Sequence, residues 1–289
     1  MKKTITRILL ILGILLVLAG IVYVCYGVYK KLTVNIPNPV ATIEVEDYGT
    51  IKVELYPDKA PNTVANFIRL ANRGFYNGTT FHRTMPNFVI QGGGKNGDAT
   101  ASPALGDLMD NIKDSKDEWV KDLYDKDTTD EELQNLLSTS YNIPGEFIAN
   151  GYNNNNIKHE EGVISMARSD YSAYGYLEEG YNSAGCQFFI MTADNTQLDG
   201  AYAAFGKVTE GMDVVKEISN VEVYYRDADL EEGEEAPTDE DGNQISSDTP
   251  KEQPVMTSVS VETYGVDYGI SETVQPFDLS SIYSQLMGY

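Results

Sequence analysis

Apolar and polar side chains alternate along Ala41–Glu46 and again along Ile51–Tyr56, on either side of Asp47-Tyr48-Gly49. A period of two flanking a short Asp/Gly turn predicts a β-hairpin. From Pro61 the period changes. Val64, Phe67, Ile68 and Ala71 fall on one face of a helix, Pro61 suits the first helical position, and Gly74 marks the end. Phe81–Gln91 reads as strand, loop, strand. Strand-like runs resume at Gly162–Met166, Gln187–Met191 and Tyr202–Val208, and a short helix, Met212–Ile218, follows. Val255–Tyr264 alternates again and is expected to return to the sheet. Many strands and few helices predict a mainly antiparallel β fold of barrel type.

Three stretches break this pattern. Residues 99–140 are acidic and fall into short helical pieces, where Ser115 to Glu118 and Thr129 to Glu132 both fit a capping box. Trp119, Leu123, Leu133 and Leu136 give these pieces an apolar side, and so short a stretch must borrow the core of the β scaffold. Residues 226–253 are rich in Asp, Glu, Gly and Pro and read as a solvated loop or disordered excursion. Residues 269–289 form a tail in which Phe277, Ile282, Tyr283, Leu286 and Met287 are available to pack on the domain or a partner.

The N-terminal stretch Ile8–Val28 is almost wholly apolar and uncharged. About 20 such residues span a bilayer core. Lys2, Lys3 and Arg7 precede it and Lys30 and Lys31 follow, which favours the N-terminus inside and the rest outside the membrane. Residues 1–31 therefore read as an uncleaved membrane anchor and 32–39 as a stalk. The alternative is a signal peptide cleaved after Val17-Leu18-Ala19, although the apolar run continues well past that point.

Charge narrows the partners. Lys+Arg 21 against Asp+Glu 44 gives a net charge of −23. A nucleic-acid partner is excluded, because phosphate binding requires a basic face. The two cysteines, Cys25 within the apolar stretch and Cys186, make no disulfide framework. Cys186 reads as a small buried residue. His159 stands in a polar, Asn-rich loop with no ligand partners at metal spacing and reads as solvated, while His82 reads as a hydrogen-bonded structural residue.

The run from Phe81-His82-Arg83 through Phe88 to Gln91-Gly92-Gly93 sets one permanently charged, rigid donor fork among apolar groups. Such a site suits gripping a carbonyl or amide nitrogen in a partly dry pocket. Two further blocks follow: Ser165-Met166-Ala167-Arg168 with Asn182–Ile190, and Leu198-Asp199-Gly200 through Phe205-Gly206-Lys207-Val208. Together with the Ala60–Phe67 helix start, these blocks make the chain resemble the cyclophilins, peptidyl-prolyl cis–trans isomerases, from about residue 40 to 268. The resemblance implies a closed antiparallel barrel of eight strands capped by two helices, carrying here the 99–140 insert and an N-terminal transmembrane helix.

By position the resemblance assigns Arg83 as the catalytic arginine. It assigns Phe88, Phe189 and Leu198 to the walls of a proline pocket, with Tyr202 where many members have histidine. Gln91 is implied to help hold the arginine and the substrate backbone, and Ala167 and Gln187 to line the peptide groove. Gln197 stands where tryptophan is common, which bears on cyclosporin-type inhibitors more than on catalysis. The implied activity needs no cofactor or metal. Its partners are proline-containing polypeptides, here exported ones, met by a domain held outside the membrane. A peptide-binding chaperone or scaffold with little turnover is the alternative.

Overall fold

The computed structural model describes residues 36–95, 102–230, 234–239, 241–279 and 282, and, nearer the N-terminus, Val17, Gly20, Ile21 and Tyr23. The chain divides into two units, Met1–Pro37 and Asn38–Tyr289. The expected anchor lies almost wholly outside the described residues, and so do Tyr283, Leu286 and Met287 of the tail. Among the described residues no helix is long and apolar enough to cross a membrane.

Eight strands form one antiparallel sheet: β1 Val40–Val45, β2 Gly49–Leu55, β3 Phe81–Met85, β4 Val89–Gly92, β5 Val163–Met166, β6 Phe188–Met191, β7 Ala204–Glu210 and β8 Met256–Glu262. Their order is β3-β4-β6-β5-β7-β2-β1-β8. The β1–β2 hairpin turns where expected, with Asp47 at φ 63° and Gly49 at φ 119°. Inward positions Ile43, Ile51, Val53, Ile90, Ile164, Phe188, Ile190 and Phe205 build the main core. Burial on both faces explains why β6 reads as a continuous apolar run, Phe188-Phe189-Ile190-Met191, instead of alternating.

The expected closed barrel is not formed: the sheet is a half-barrel. Between β3 and β8 there is a single bridge, Thr80 to Val255, flanked by Phe81 N–H donating to the Pro254 carbonyl (2.9 Å) and Met256 N–H to the Thr79 carbonyl (2.8 Å). Pro254 has no N–H with which to extend the ladder. Beyond Phe81, the free edge of β3 is met instead by residues of the 226–253 loop: Thr84 N–H donates to the Asp248 carbonyl (3.0 Å), and Arg226 Nη1 to the Thr84 carbonyl (3.0 Å). That loop, expected to be a solvated or disordered excursion, thus has a packed stem. Asp248 is buried at φ 61°, because its backbone and carboxylate both find donors there.

Helix α1, Pro61–Asn72, turns Val64, Phe67, Ile68 and Ala71 into the core and packs against β8. Its N-cap position, Ala60, has no side chain to satisfy the first N–H groups. Glu146 supplies the missing acceptor from a distant loop, receiving Asn62 N–H (3.0 Å), Thr63 N–H (2.8 Å) and the Thr63 hydroxyl (2.7 Å). A carboxylate there also meets the positive end of the helix dipole.

The insert packs on the sheet domain. Its short helices α2 Leu105–Leu108, α3 Glu118–Lys121 and α4 Asp130–Leu137 place Leu105, Leu108, Val120 and Leu133 in the main core, with Trp119, Leu123 and Leu136 packed around them. The Thr129–Glu132 capping box forms. The one expected at Ser115 does not, because Ser115 bonds Asp117, and α3 begins one residue later at Glu118. A further short helix, α5 Leu177–Tyr181, lies in the connection between β5 and β6, and α6 Met212–Ser219 packs against β2, β3 and β4. The tail crosses α1, where Asn62 exchanges hydrogen bonds with Glu272, and sets Phe277 against Tyr171 and Tyr176 of the β5–β6 connection.

Candidate active site

Sheet register builds the site. Arg83 on β3 pairs with Gln91 on β4, Gln91 with Phe189 on β6, and Phe189 with Ser165 on β5. Residues directly opposite in a ladder share a face, so a row of four strands carries Arg83, Gln91 and Phe189 to the same, outward side. A second, smaller apolar cluster forms there, separate from the main core: Val89, Val163, Phe189, Met191 and Ala204, with Phe88, Ala167, Leu198 and Tyr202 packed on it. Over it opens a cavity of about 140 Å³ lined by Arg83, Phe88, Val89, Gln91, Ala167, Arg168, Phe189, Leu198 and Tyr202. Seven of the eight residues expected in the site line this one cavity. The eighth, Gln187, lines an adjoining cleft of about 390 Å³ and accepts from Gln91 Nε2 (3.2 Å) at the boundary between the two.

Arg83 is half-exposed at the mouth. Its guanidinium lies 6.0 Å from the Phe88 ring centre, an Nη2–H points at the Met85 sulfur (3.1 Å), and Nε is 3.7 Å from Asp248. Asp248 is itself fixed by Arg226 Nη1 at 2.8 Å. The Phe189 wall is edge-on to Tyr202 with ring centres 5.5 Å apart. The site can therefore present a fixed cation beside an apolar slot the size of one small ring. Among the described residues no group there is arranged as an activated nucleophile. Cys186 lines the larger cleft, but burial pushes its thiol up to about 12.

His159 departs from its expected solvated state. It is buried behind the pocket wall, stacked on Phe189 (6.1 Å), with its ring nitrogens 2.9 Å from the Ser165 hydroxyl and 3.4 Å from Asp199. The Asn-rich stretch around it has its own buried anchor: Asn155 donates to the Glu146 and Ala204 carbonyls. Ser165 is fully buried, so this Ser-His-Asp row is a brace for the wall and not a hydrolytic triad. Burial pulls the His159 pKa below its ordinary value, against the opposing pull of Asp199. The folded protein then binds fewer protons than the unfolded chain below about pH 6.5, so stability is complete above that value and falls as pH drops through the folded pKa. Unfolding midpoints in urea are expected to decline from pH 7 to about pH 5, with a shallower slope in His159→Gln. Equal slopes would show that His159 is not the group responsible.

Four participants escaped the sequence reading. Val89 and Arg168 were signalled by alternation and by the Ser165–Arg168 block. Asp248 and Arg226 carried no signal, since an acidic loop looks the same whether or not one carboxylate folds inward.

A family model described as cyclophilin type peptidyl-prolyl cis-trans isomerase/CLD matches residues 40–246. Peptidyl-prolyl cis-trans isomerase B of Bacillus subtilis is 35% identical over 179 residues, which is 62% of this chain and 90% of that protein. A peptidyl-prolyl cis-trans isomerase of Synechococcus elongatus is 31% identical over 182 residues, 62% of this chain and 88% of that one. A crystal structure of a Cryptosporidium parvum cyclophilin type peptidyl-prolyl cis-trans isomerase aligns at 21% identity and a TM-score of 0.49, covering 77% of this chain and 96% of that chain. The match over most of the described domain, by family model and by curated relatives alike, means that this chain belongs to the cyclophilin-type peptidyl-prolyl cis–trans isomerases.

Proposed function

We propose that this isomerase acts on X–Pro bonds of exported polypeptides at the outer face of a membrane, and that Arg83 is its catalytic residue. The observation that carries the catalytic part is the cavity that brings Arg83, 6.0 Å from the Phe88 ring centre, together with Phe189, Leu198 and Tyr202. Amide resonance holds the X–Pro bond planar behind a barrier of ~18–20 kcal/mol. Halfway through rotation the imide nitrogen loses conjugation and becomes a good hydrogen-bond acceptor. Arg83 donates to it then and hardly at all in either planar state, so the contact lowers the barrier and does not merely tighten binding. The apolar walls hold the proline ring while the preceding carbonyl swings, and by excluding water they strengthen the arginine contact. Gln91, tied to Gln187, is suited to hold the peptide backbone. No bond is made or broken, so no nucleophile is called for.

The cellular part rests on the uncharged run Ile8–Val28 between basic flanks. One experiment examines both parts. Isomerisation of an X–Pro peptide, followed by NMR exchange, is measured in washed membranes of expressing cells and in the soluble fraction. Spheroplasts are treated with protease in parallel. Turnover is expected in the membranes and is expected to be lost to external protease. Peptide binding without turnover would favour a chaperone, and activity confined to the soluble fraction would overturn the anchor.

A further inference from the structure

We propose that Arg168 makes the groove selective for proline segments carrying an aspartate or glutamate beside the X–Pro pair. This rests on the isomerase reading of the same site. Arg168 lines both the proline-sized cavity and the adjoining 390 Å³ cleft. Among the described residues, Arg83 and Arg168 are the charged side chains lining these two spaces, and neither space is lined by a carboxylate, in a chain with 44 acidic residues. The two arginines differ in one respect. Arg83 has Asp248 at 3.7 Å, whereas Arg168 has no carboxylate oxygen within ion-pair distance among the described residues.

Arg168 is also held in place. Its Nε donates to the Ala201 carbonyl (3.0 Å) and its Nη1 to the Ser169 carbonyl (3.0 Å). The guanidinium carbon lies 4.6 Å from the Tyr202 ring centre, 5.0 Å from Tyr181 and 5.7 Å from Phe147. These contacts leave Nη2 without an acceptor among the described residues. A pre-ordered, half-buried fork with unused N–H groups matches a carboxylate in both charge and geometry, and little side-chain freedom remains to be lost on binding. The net charge of −23 opposes any acidic peptide. That repulsion is spread over the surface and screened beyond about 8 Å at physiological salt, whereas a direct contact with the half-buried Arg168 is weakened by salt but not abolished.

The test compares kcat/KM, by NMR exchange, for peptides with Glu, Gln or Lys placed two residues before the proline or one residue after it. At one of the two positions Glu is expected to exceed Gln about three- to tenfold, with Lys poorest. The preference is expected to shrink between about 20 mM and about 500 mM salt. It should disappear in Arg168→Gln and survive in part in Arg168→Lys. Equal rates for Glu, Gln and Lys peptides at both positions would overturn the selectivity and leave the isomerase intact. A preference that persists in Arg168→Gln would overturn the role of Arg168. Absence of turnover on every peptide would instead overturn the reading on which this proposal rests. Should Arg168→Gln fail to fold, the salt series on the unaltered protein still decides: a Glu preference indifferent to salt overturns the proposal.

Discussion

Replacing Arg83 with alanine is expected to lower kcat/KM on an X–Pro peptide by about 10²-fold while the protein stays folded. Loss of one donor aimed at a transition state typically costs a factor of about 10²–10³, and 10² corresponds to about 2.7 kcal/mol of barrier. Arg83 is the donor of the proline-sized cavity that stands nearest the Phe88 wall. The fold should survive for two reasons. The side chain is 37% exposed on the outward face and is not part of the core. Its partner Asp248 keeps the closer ion pair, 2.8 Å to Arg226, so the change leaves no buried charge alone. Arg83→Lys separates charge from geometry: a lysine keeps the charge but not the fork, and most of the loss is expected to remain. An unchanged rate in Arg83→Ala would remove Arg83 from the mechanism.

The largest effect on stability is expected at Phe67. Its ring is fully buried and lies 5.3 Å from Tyr76, 5.6 Å from Phe188 and 5.3 Å from Phe205, so it joins α1 to β6 and β7. Phe67→Ala removes that ring and leaves a cavity in a close-packed aromatic cluster, at a cost of about 3–5 kcal/mol. For a domain of this size the thermal midpoint should fall by about 10 °C. Such a loss is a large fraction of a typical total stability of about 5–15 kcal/mol. Well below the new midpoint, kcat/KM should change little, because Phe67 belongs to the inner core and the pocket to the separate outer cluster. An unfolding midpoint within about 2 °C of the original would mean that the cluster is not a keystone.

The difference between these two residues reflects what was legible before folding. Phe67 was placed in the core by helical spacing alone, and the structure put it there. Arg83 was noticed as an arginine among apolar residues, but spacing could not say which way it faced. Its direction came from the β3–β4 register, in which Arg83 stands opposite Gln91 and Thr84 opposite Ile90. A slip of one residue would have exchanged the two faces. His159 was misjudged for a related reason. Its neighbours Asn153–Asn156 are polar, and polar sequence suggests solvent, yet Asn155 and His159 are both buried with their polar atoms bonded. Hydrogen-bond satisfaction is a three-dimensional property with no signature in local composition. The insert was legible in part: its apolar side and its Thr129 cap are local features, whereas the surface it covers is not.

The amino-acid order thus determined the hairpin, the helix from Pro61, the strand-rich character and the residue types of the site, because each depends on neighbours within a few positions of the chain. Only tertiary structure decided that the sheet stays open between β3 and β8, that Asp248 and Arg226 fold in behind Arg83, and that Arg168 lines two cavities with no carboxylate within ion-pair distance among the described residues. Those outcomes join residues far apart in sequence. They are set by register, packing and the pairing of buried charge, which exist only once the chain has closed on itself.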